Sequence, residues 1–472
     1  MQSLQSLIDQ YGGALSLLRS TKSYVNAPRR YSPHLIVPQI PYKFTSWEAE
    51  QRAWRTSVAL LDQTHHMQGI FVRGPDALRF LSQLACNKLS TSLPNRAHQI
   101  ILVNEDGMLV GDGILFHLEK NHLVVYGAPY APNWIRYHAE RSQLDIEVEM
   151  DYRSPVYANG HASQRKDCRY QIQGPLAEQL IDKLNGGPVG DVPFFHMTDL
   201  TIAGHRVRGL RHGMAGAKGL EVWGPFEHRE AIRDAILAAG EEFGITLIGA
   251  LAYLTTAAES GWIAAPLPAI YSGEHLRAYR EWLPADEIEG LQRLAGSYSS
   301  DSIENFYCTP YELGYGHILS FDHEFIGRDK LRQIDPASRR KKVTLAWNPE
   351  DVGRLMTRLV SPGGGNLKQL HIPIEFDTLE PSYDKITVDG KFVGTGNYTA
   401  YSANERAIIT LSIVDQGLQI GDEVTLHWGE AGGGSGKGRV EPTDDFAIRA
   451  VVSPTPFARV ARAERGSAKR GH

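Results

Sequence analysis

Tyr253 lies in "IGALAYLTTAAESGW" (248–262), among small and apolar residues with no charge within five positions. Such a tyrosine is either core packing or a hydroxyl held where a reaction needs an acid. Its ordinary pKa of about 10 keeps it protonated at neutral pH. "QTHHM" (63–67) carries Gln63 and the adjacent His65 and His66. Read as extended chain, the two rings face opposite sides and do not share one ion. No HExxH motif or ligand-spaced carboxylate accompanies them, so no metal site is expected. One of the two histidines is either structural or turned into a pocket. "NEDGMLVGDG" (104–113) supplies Asp106, which suits a turn, and Asp112, which sits in an apolar strand between Gly111 and Gly113. A carboxylate there is costly unless paired, and flanking glycines permit close backbone approach by a ligand. In "LEVWG" (220–224) Glu221 is either on a solvated strand face or a carboxylate that pins a ligand. "GGGSGKG" (432–438) fails the phosphate-loop pattern, because Ala431 takes the first Gly position and Gly438 stands where Ser or Thr should bind magnesium. It reads as a hairpin loop.

The elements that must position these groups are legible in outline. "SWEAEQRAW" begins a helix capped by Ser46, with Glu48 and Glu50 in its first turn. "GIFVRG" (69–74) reads as a strand, and "GPDALRFLSQLA" (74–85) as an amphipathic helix with Leu78, Leu81 and Leu84 on one face. Residues 98–118 read as a hairpin around Glu105-Asp106-Gly107. "HLVVYGA" is a further strand and "PNWIRYHAERS" a further helix. Helices and strands alternate to about residue 335, an α+β pattern. From 336 the chain turns strand-rich, with Asp-Gly punctuation, and 336–472 reads as a separate β domain ending in a basic tail. Its "SPGGGNLKQ" (361–369) reads as a loop.

With 472 residues, two or three domains are expected. The net charge of −5, with both signs mixed throughout, argues against a dedicated nucleic-acid binder. No uncharged apolar run reaches membrane-spanning length, and the N-terminal residues do not read as a signal peptide. Cys86, Cys168 and Cys308 are far apart, which favours a reduced, cytoplasmic setting over a disulfide framework.

Taken together these segments resemble the glycine cleavage T-protein family of tetrahydrofolate-dependent aminomethyltransferases. "TPYELGYGHILSFDHEFIGRDKL" (309–331) is the most specific match, and "GKFVGTGNYTAYSANE" (390–405) is similar to the family's C-terminal element. The departures are equally specific. Where the family has Tyr-Thr-Gly-Glu-Asp-Gly-Phe-Glu, this chain has Met214-Ala215-Gly216-Ala217-Lys218-Gly219-Leu220-Glu221, and "PLPAIYSGEHLRAYREWLP" is inserted after Trp262. These features, with "LDQTHHM" and "RHGMAGAKGLEVWGP", resemble the branch of tetrahydrofolate-dependent aryl O-demethylases acting on vanillate and syringate. The loss of a Glu at Ala217 and the insertion count against a glycine-cleavage aminomethyltransferase. A non-catalytic folate-binding protein of the same fold is the other alternative.

The resemblance implies a three-domain folate-binding fold. Residues 1–335 would form two interleaved α+β domains, and the C-terminal domain an all-β, barrel- or jelly-roll-like one. It also implies methyl transfer from an aromatic methoxy acid to N5 of tetrahydrofolate, with no metal. Tyr253 and His66 would be catalytic, and Gln63, His66, Ala128 and Tyr253 would line the substrate. Glu221, Trp262, Asp112 and Tyr126 would lie on the folate side. Vanillate-type relatives carry an Arg where this chain has Ala128, so among vanillate, syringate, 3-O-methylgallate and chlorinated methoxybenzoates the substrate stays open, with an ortho-methoxybenzoate, including chlorinated ones, expected ahead of vanillate. A replacement cation is sought in 271–284 or around Arg29 and Arg30.

Overall fold

The computed structural model describes residues 2–20, 40–152, 165–264, 266–375, 379–434 and 442–463. Strand β1 (Val58–Asp62) is followed by β2 (Gln68–Arg73), β3 (Arg96–Val103), β4 (Leu109–Glu119), β5 (His122–Gly127) and β6 (Glu147–Asp151). The last five form an antiparallel sheet in the order β3-β4-β5-β2-β6. The chain then returns to β1. Strands β7 (Asp167–Gln173), β8 (Met197–Ile202), β9 (His205–Leu210), β10 (Gly219–Pro225) and β11 (Ile245–Leu247) complete a sheet ordered β11-β1-β7-β10-β9-β8. One sheet is thus inserted in the sequence of the other, and the two pack together through Phe71, Phe116, Tyr126, Leu210 and Trp223.

Period-two alternation decides what each face of the second sheet does. Tyr170, Ile172, Leu220 and Val222 pack with Leu180, Ile181, Ile232 and Ile236 of helices Ala177–Asn185 and Arg229–Gly240. Arg169, Gln171, Gln173 and Glu221 therefore share the opposite face, yet each is at most 3% exposed. This polar face turns inward, against a cavity.

The C-terminal strands are β12 (Lys341–Trp347), β13 (Ile374–Glu375), β14 (Asp384–Val388), β15 (Lys391–Ser402), β16 (Ala407–Val414), β17 (Glu423–Trp428) and β18 (Phe446–Ser453). Their order β15-β14-β17-β18-β12-β16 closes through the β15–β16 pairing into a six-stranded barrel, with β13 added on β15. Asp389 and Gly390, both at positive φ (49° and 77°), make the two-residue turn that joins β14 to β15. The domain is not all-β: Pro349–Leu359 is an amphipathic helix capped by Asn348, with Leu355 in the barrel core. Its Asp351 is bound by Arg449 of β18 at 2.8–3.0 Å. Gly432 and Gly433 turn the chain between β17 and β18; residues 435–438 of the same glycine-rich run lie outside the described residues.

The inserted segment after Trp262 is core. Leu267, Ile270, Tyr271, Leu276, Tyr279 and Leu283 are buried with the five-stranded sheet and its helix Tyr130–Ala139.

Candidate active site

A cavity of about 1350 Å³ opens between the two sheets, the 309–318 segment and the barrel. Gln63, His66, Asp112, Tyr126, Ala128, Glu221 and Trp262 all line it. Tyr253 does not reach its surface.

Gln63 and His66 follow β1 in a tight turn, not in a strand, and His66 N–H donates to the Gln63 carbonyl at 3.2 Å. The turn sends the histidines apart: His65 packs edge-on against Phe226, and His66 against Tyr253 with ring centroids 4.8 Å apart. Tyr253 occupies the first turn of helix Ala250–Ser260 and is 1% exposed. Gly249 opens that helix because a Cβ there would meet Lys43 Cα at 2.5 Å. The Tyr253 hydroxyl has no formed hydrogen bond among the described residues. Burial pushes its pKa well above the ordinary tyrosine value, while the Arg169 charge and the Gln63 side chain pull it back. Gln63 Nε2 rests on Met214 Sδ across the cavity wall.

The other end of the same helix sets Trp262. Gly261, at φ 70°, ends the helix in the left-handed conformation, and Trp262 N–H returns to the Ala257 carbonyl at 2.9 Å. The indole then donates to Asp112 Oδ2 at 3.2 Å. Gln99 Nε2 donates to that oxygen at 2.9 Å and the Tyr315 hydroxyl at 2.5 Å. Burial raises the Asp112 pKa, and the Tyr315 and Trp262 donors oppose that rise. The flanking glycines serve the chain itself. A Cβ at Gly113 would lie 2.6 Å from the Tyr126 carbonyl on β5, and one at Gly111 would be 3.2 Å from Ala131 N.

Glu221 is held by Arg169, whose Nε donates to Oε1 at 2.8 Å and whose Nη2 donates to the same oxygen at 2.5 Å. The solvated strand face is therefore excluded: Glu221 is 1% exposed. Arg169 also lies over the Tyr126 ring, 4.3 Å from its centroid. The Tyr126 hydroxyl is engaged elsewhere, on Asp167 Oδ2 at 3.3 Å, and Asp167 is pushed up to about 6, chiefly by burial. His212, which faces Glu221 Oε2 at 3.9 Å, is driven toward the neutral form by burial. Gln171 Nε2 donates to the His212 carbonyl and Gln173 Nε2 to that of Ala217, at 3.0 and 3.1 Å. The 212–219 segment is thus pinned over the sheet. Gly219 is obligatory there, since a Cβ would fall 1.9 Å from the Ile172 carbonyl.

Two wall residues escape a reading of the sequence, Arg169 and Tyr315, and so does Gln171, which holds the His212 carbonyl. Their signals are present. "RYQIQ" alternates polar with apolar residues, but so does any strand with one wet face. Tyr315 stands within the 309–331 motif without marking itself as a partner of Asp112. The replacement cation sought for Ala128 does not come from Arg280, which is consumed by Gln5 Oε1 and the carbonyls of Ile270, Ser272 and Gly273. Arg29 and Arg30 lie outside the described residues.

Comparison with known proteins places this architecture in a family. Residues 20–266 match the family model described as the GCVT N-terminal domain. The chain is 36% identical over 462 residues to syringate O-demethylase of Sphingobium sp. (strain NBRC 103272 / SYK-6), covering 98% of this chain and 97% of that protein. It is 27% identical to sesamin methylene transferase of Sinomonas sp. (strain No.22), over 89% and 90% of the two chains. Among solved structures, the glycine cleavage system aminomethyltransferase T from Bartonella henselae shares the fold. The TM-score is 0.58 at 16% identity, over 89% of this chain and 91% of that one. The chain belongs to the GCVT family of the T-protein superfamily, and it is an enzyme of the tetrahydrofolate-dependent methyltransferase class.

Proposed function

We propose that this enzyme transfers the methyl group of an aromatic methoxy acid to tetrahydrofolate, leaving the free phenol. The observation that carries the reading is the cavity between the two sheets and the barrel. It is larger than the ~300–1,000 Å³ typical of a site for one small ligand, so an aromatic ring and a folate fit side by side. Its wall carries polar groups suited to both. Glu221 offers an acceptor to the amide and amino donors of a pterin. The Trp262 indole, held by Asp112, offers a flat apolar surface beside it.

Bound tetrahydrofolate supplies N5, whose lone pair takes the methyl group. The residues of this chain do the rest. An aryl ether leaves as a phenolate, so a proton delivered to the ether oxygen as the carbon–oxygen bond breaks lowers the barrier, by roughly 10²- to 10⁴-fold in rate. Tyr253 is the donor. Its proton is firmly held at rest and moves only as charge builds on the ether oxygen. Entry of the ring displaces the Gln63–Met214 contact and uncovers the Tyr253 hydroxyl beside His66. His66, edge-on to Tyr253, orients the phenol ring and relays back to Tyr253 the proton that N5 gives up on being methylated. At Ala128 the wall carries neither charge nor bulk. A para-carboxylate there would be desolvated without a partner, so the substrate is one whose acid group lies elsewhere, an ortho-methoxybenzoate.

The test is a panel of methoxybenzoates, vanillate and syringate incubated with enzyme and tetrahydrofolate. Phenol and 5-methyltetrahydrofolate should appear in equal amounts, only when both reactants are present. Absence of methyl transfer across the panel would overturn the reading.

A further inference from the structure

The cavity sorts its charges by depth. Among the described residues its carboxylates are Asp112 and Glu221, which are 8% and 1% exposed. The charged side chains of its wall that are half-buried or exposed are all cations: Lys88, Arg96, Lys341, Lys342 and Arg462. Acids outnumber Lys and Arg in the whole chain, 54 to 49, so this excess is local. Lys88 is spent on Asp322 at 2.6 Å, whereas neither the Arg96 nor the Lys341 side chain has an ion pair or hydrogen bond among the described residues. An aromatic strip joins the two depths. His212 Nδ1 lies 3.9 Å from Glu221 Oε2. The Phe195 ring is stacked with that imidazole, 9° between planes and 5.7 Å between centroids, and Phe194 stacks on Phe195 at 4.4 Å. All three rings line the cavity. Phe195 is held at φ 58°, a left-handed conformation unfavourable for a bulky residue. Backbone bonds impose it: its N–H donates to the Arg211 carbonyl at 2.9 Å, and its carbonyl accepts from Ala97 N–H at 2.8 Å. The second bond sets the strip beside Arg96.

From the inside outward this wall presents a buried acceptor, flat rings and a cation. Tetrahydrofolate has the same order: a pterin with amide and amino donors, a benzoyl ring, and a glutamate bearing carboxylates. We infer that the p-aminobenzoyl ring lies along His212, Phe195 and Phe194, and that Arg96 and Lys341 form a subsite for the glutamate carboxylates that favours a γ-linked oligoglutamate chain. This rests on Glu221 as the acceptor for the pterin. A single glutamate brings two carboxylates, and each further γ-linked residue adds one. Arg96 opens β3 of the five-stranded sheet and Lys341 opens β12 of the barrel, so successive carboxylates of a longer chain meet cations from two domains. Such pairs at the mouth need no deep burial of charge, which is why the cations are left at the edge and the carboxylates of the wall are kept inside.

The experiment measures, by calorimetry on the full-length enzyme at low and high salt, the binding of tetrahydrofolate with one glutamate and of tetrahydropteroylpentaglutamate. Exposed charge pairs are individually weak, but the added carboxylates together should tighten binding at least ~5-fold at low salt. The gain should shrink as salt is added. Arg96→Gln and Lys341→Gln keep much of each stem, and combined they should bring the gain to within about twofold. In that double variant kcat and the KM for the aromatic substrate should not move. Phe194→Ala removes ring surface that both forms would use, so it should weaken both at least ~3-fold and leave their ratio unchanged. Equal affinities of the wild-type enzyme for the two forms at low salt overturn the inference, as does a full gain persisting in the double variant. Unchanged affinities in Phe194→Ala overturn the placing of the benzoyl ring. These affinities are read without turnover, so they judge the subsite even if no methoxy aromatic is demethylated and the proposed function fails.

Discussion

Replacing Tyr253 by Phe removes one oxygen atom and should push activity and stability in opposite directions. The hydroxyl is buried and makes no formed hydrogen bond among the described residues, and its ring is held by His66 edge-on at 4.8 Å. Phe keeps that ring. Leaving a buried polar group unsatisfied costs about 1–3 kcal/mol, so its removal should leave the fold as stable as before or stabilise it by ~1 kcal/mol. A hydroxyl that merely packed would have no other effect. If it is the acid for the departing phenol, kcat should fall at least ~10²-fold, the low end for general acid catalysis, which is about 2.7 kcal/mol in the barrier. Single-turnover formation of 5-methyltetrahydrofolate measures the first quantity and urea unfolding the second. Tetrahydrofolate affinity, by calorimetry, should not move. Near-normal turnover in a stable variant would refute the acid role. A large loss of stability would show that the hydroxyl is paired and structural.

Other perturbations separate the remaining roles. Glu221→Ala strands the Arg169 charge in the wall and should cost about 3–5 kcal/mol of stability. Glu221→Gln still offers an acceptor oxygen and should cost less while weakening tetrahydrofolate at least ~5-fold; unchanged folate affinity in that variant would remove Glu221 from the folate side. Glu289 is buried on Asn133, and burial raises its pKa from 4.5 to about 7. The native state therefore holds a proton that the unfolded state loses, and stability falls as pH rises from about 4.5 to 7. Glu289→Gln should flatten that slope and be the more stable protein above pH 7, by up to about 3 kcal/mol; equal urea midpoints for the two proteins at pH 8 would contradict it. Ala128→Arg should shift kcat/KM toward vanillate, and a wild type that already prefers vanillate to 2-methoxybenzoate would show that position 128 does not govern acid placement.

Local pattern in the sequence determined most of the elements. Ser46 caps its helix through the Ala49 N–H, and Glu105-Asp106-Gly107 turns the β3–β4 hairpin because Gly107 supplies a φ of 75°. Asp389-Gly390 likewise makes a hairpin turn that needs only its own two residues. Quoted motifs also marked which segments meet at the cavity: 63–67, 104–113, 212–221 and 309–318 all contribute to its wall. What the sequence could not determine is the direction in which a strand face looks. Arg169, Gln171 and Glu221 alternate with apolar neighbours as they would on a wet surface. Only the packing of one sheet across the other turns that face inward and makes each of its polar atoms count. Nor could spacing show that Trp262 and Tyr315, 150 and 203 residues from Asp112, share one of its oxygens. The inserted 266–284 segment makes the same point: the replacement cation sought there, Arg280, is instead buried on Gln5 and three backbone carbonyls. Alternation, caps and turns are properties of a few neighbouring residues, whereas the environment of a side chain is set by whatever the fold brings against it.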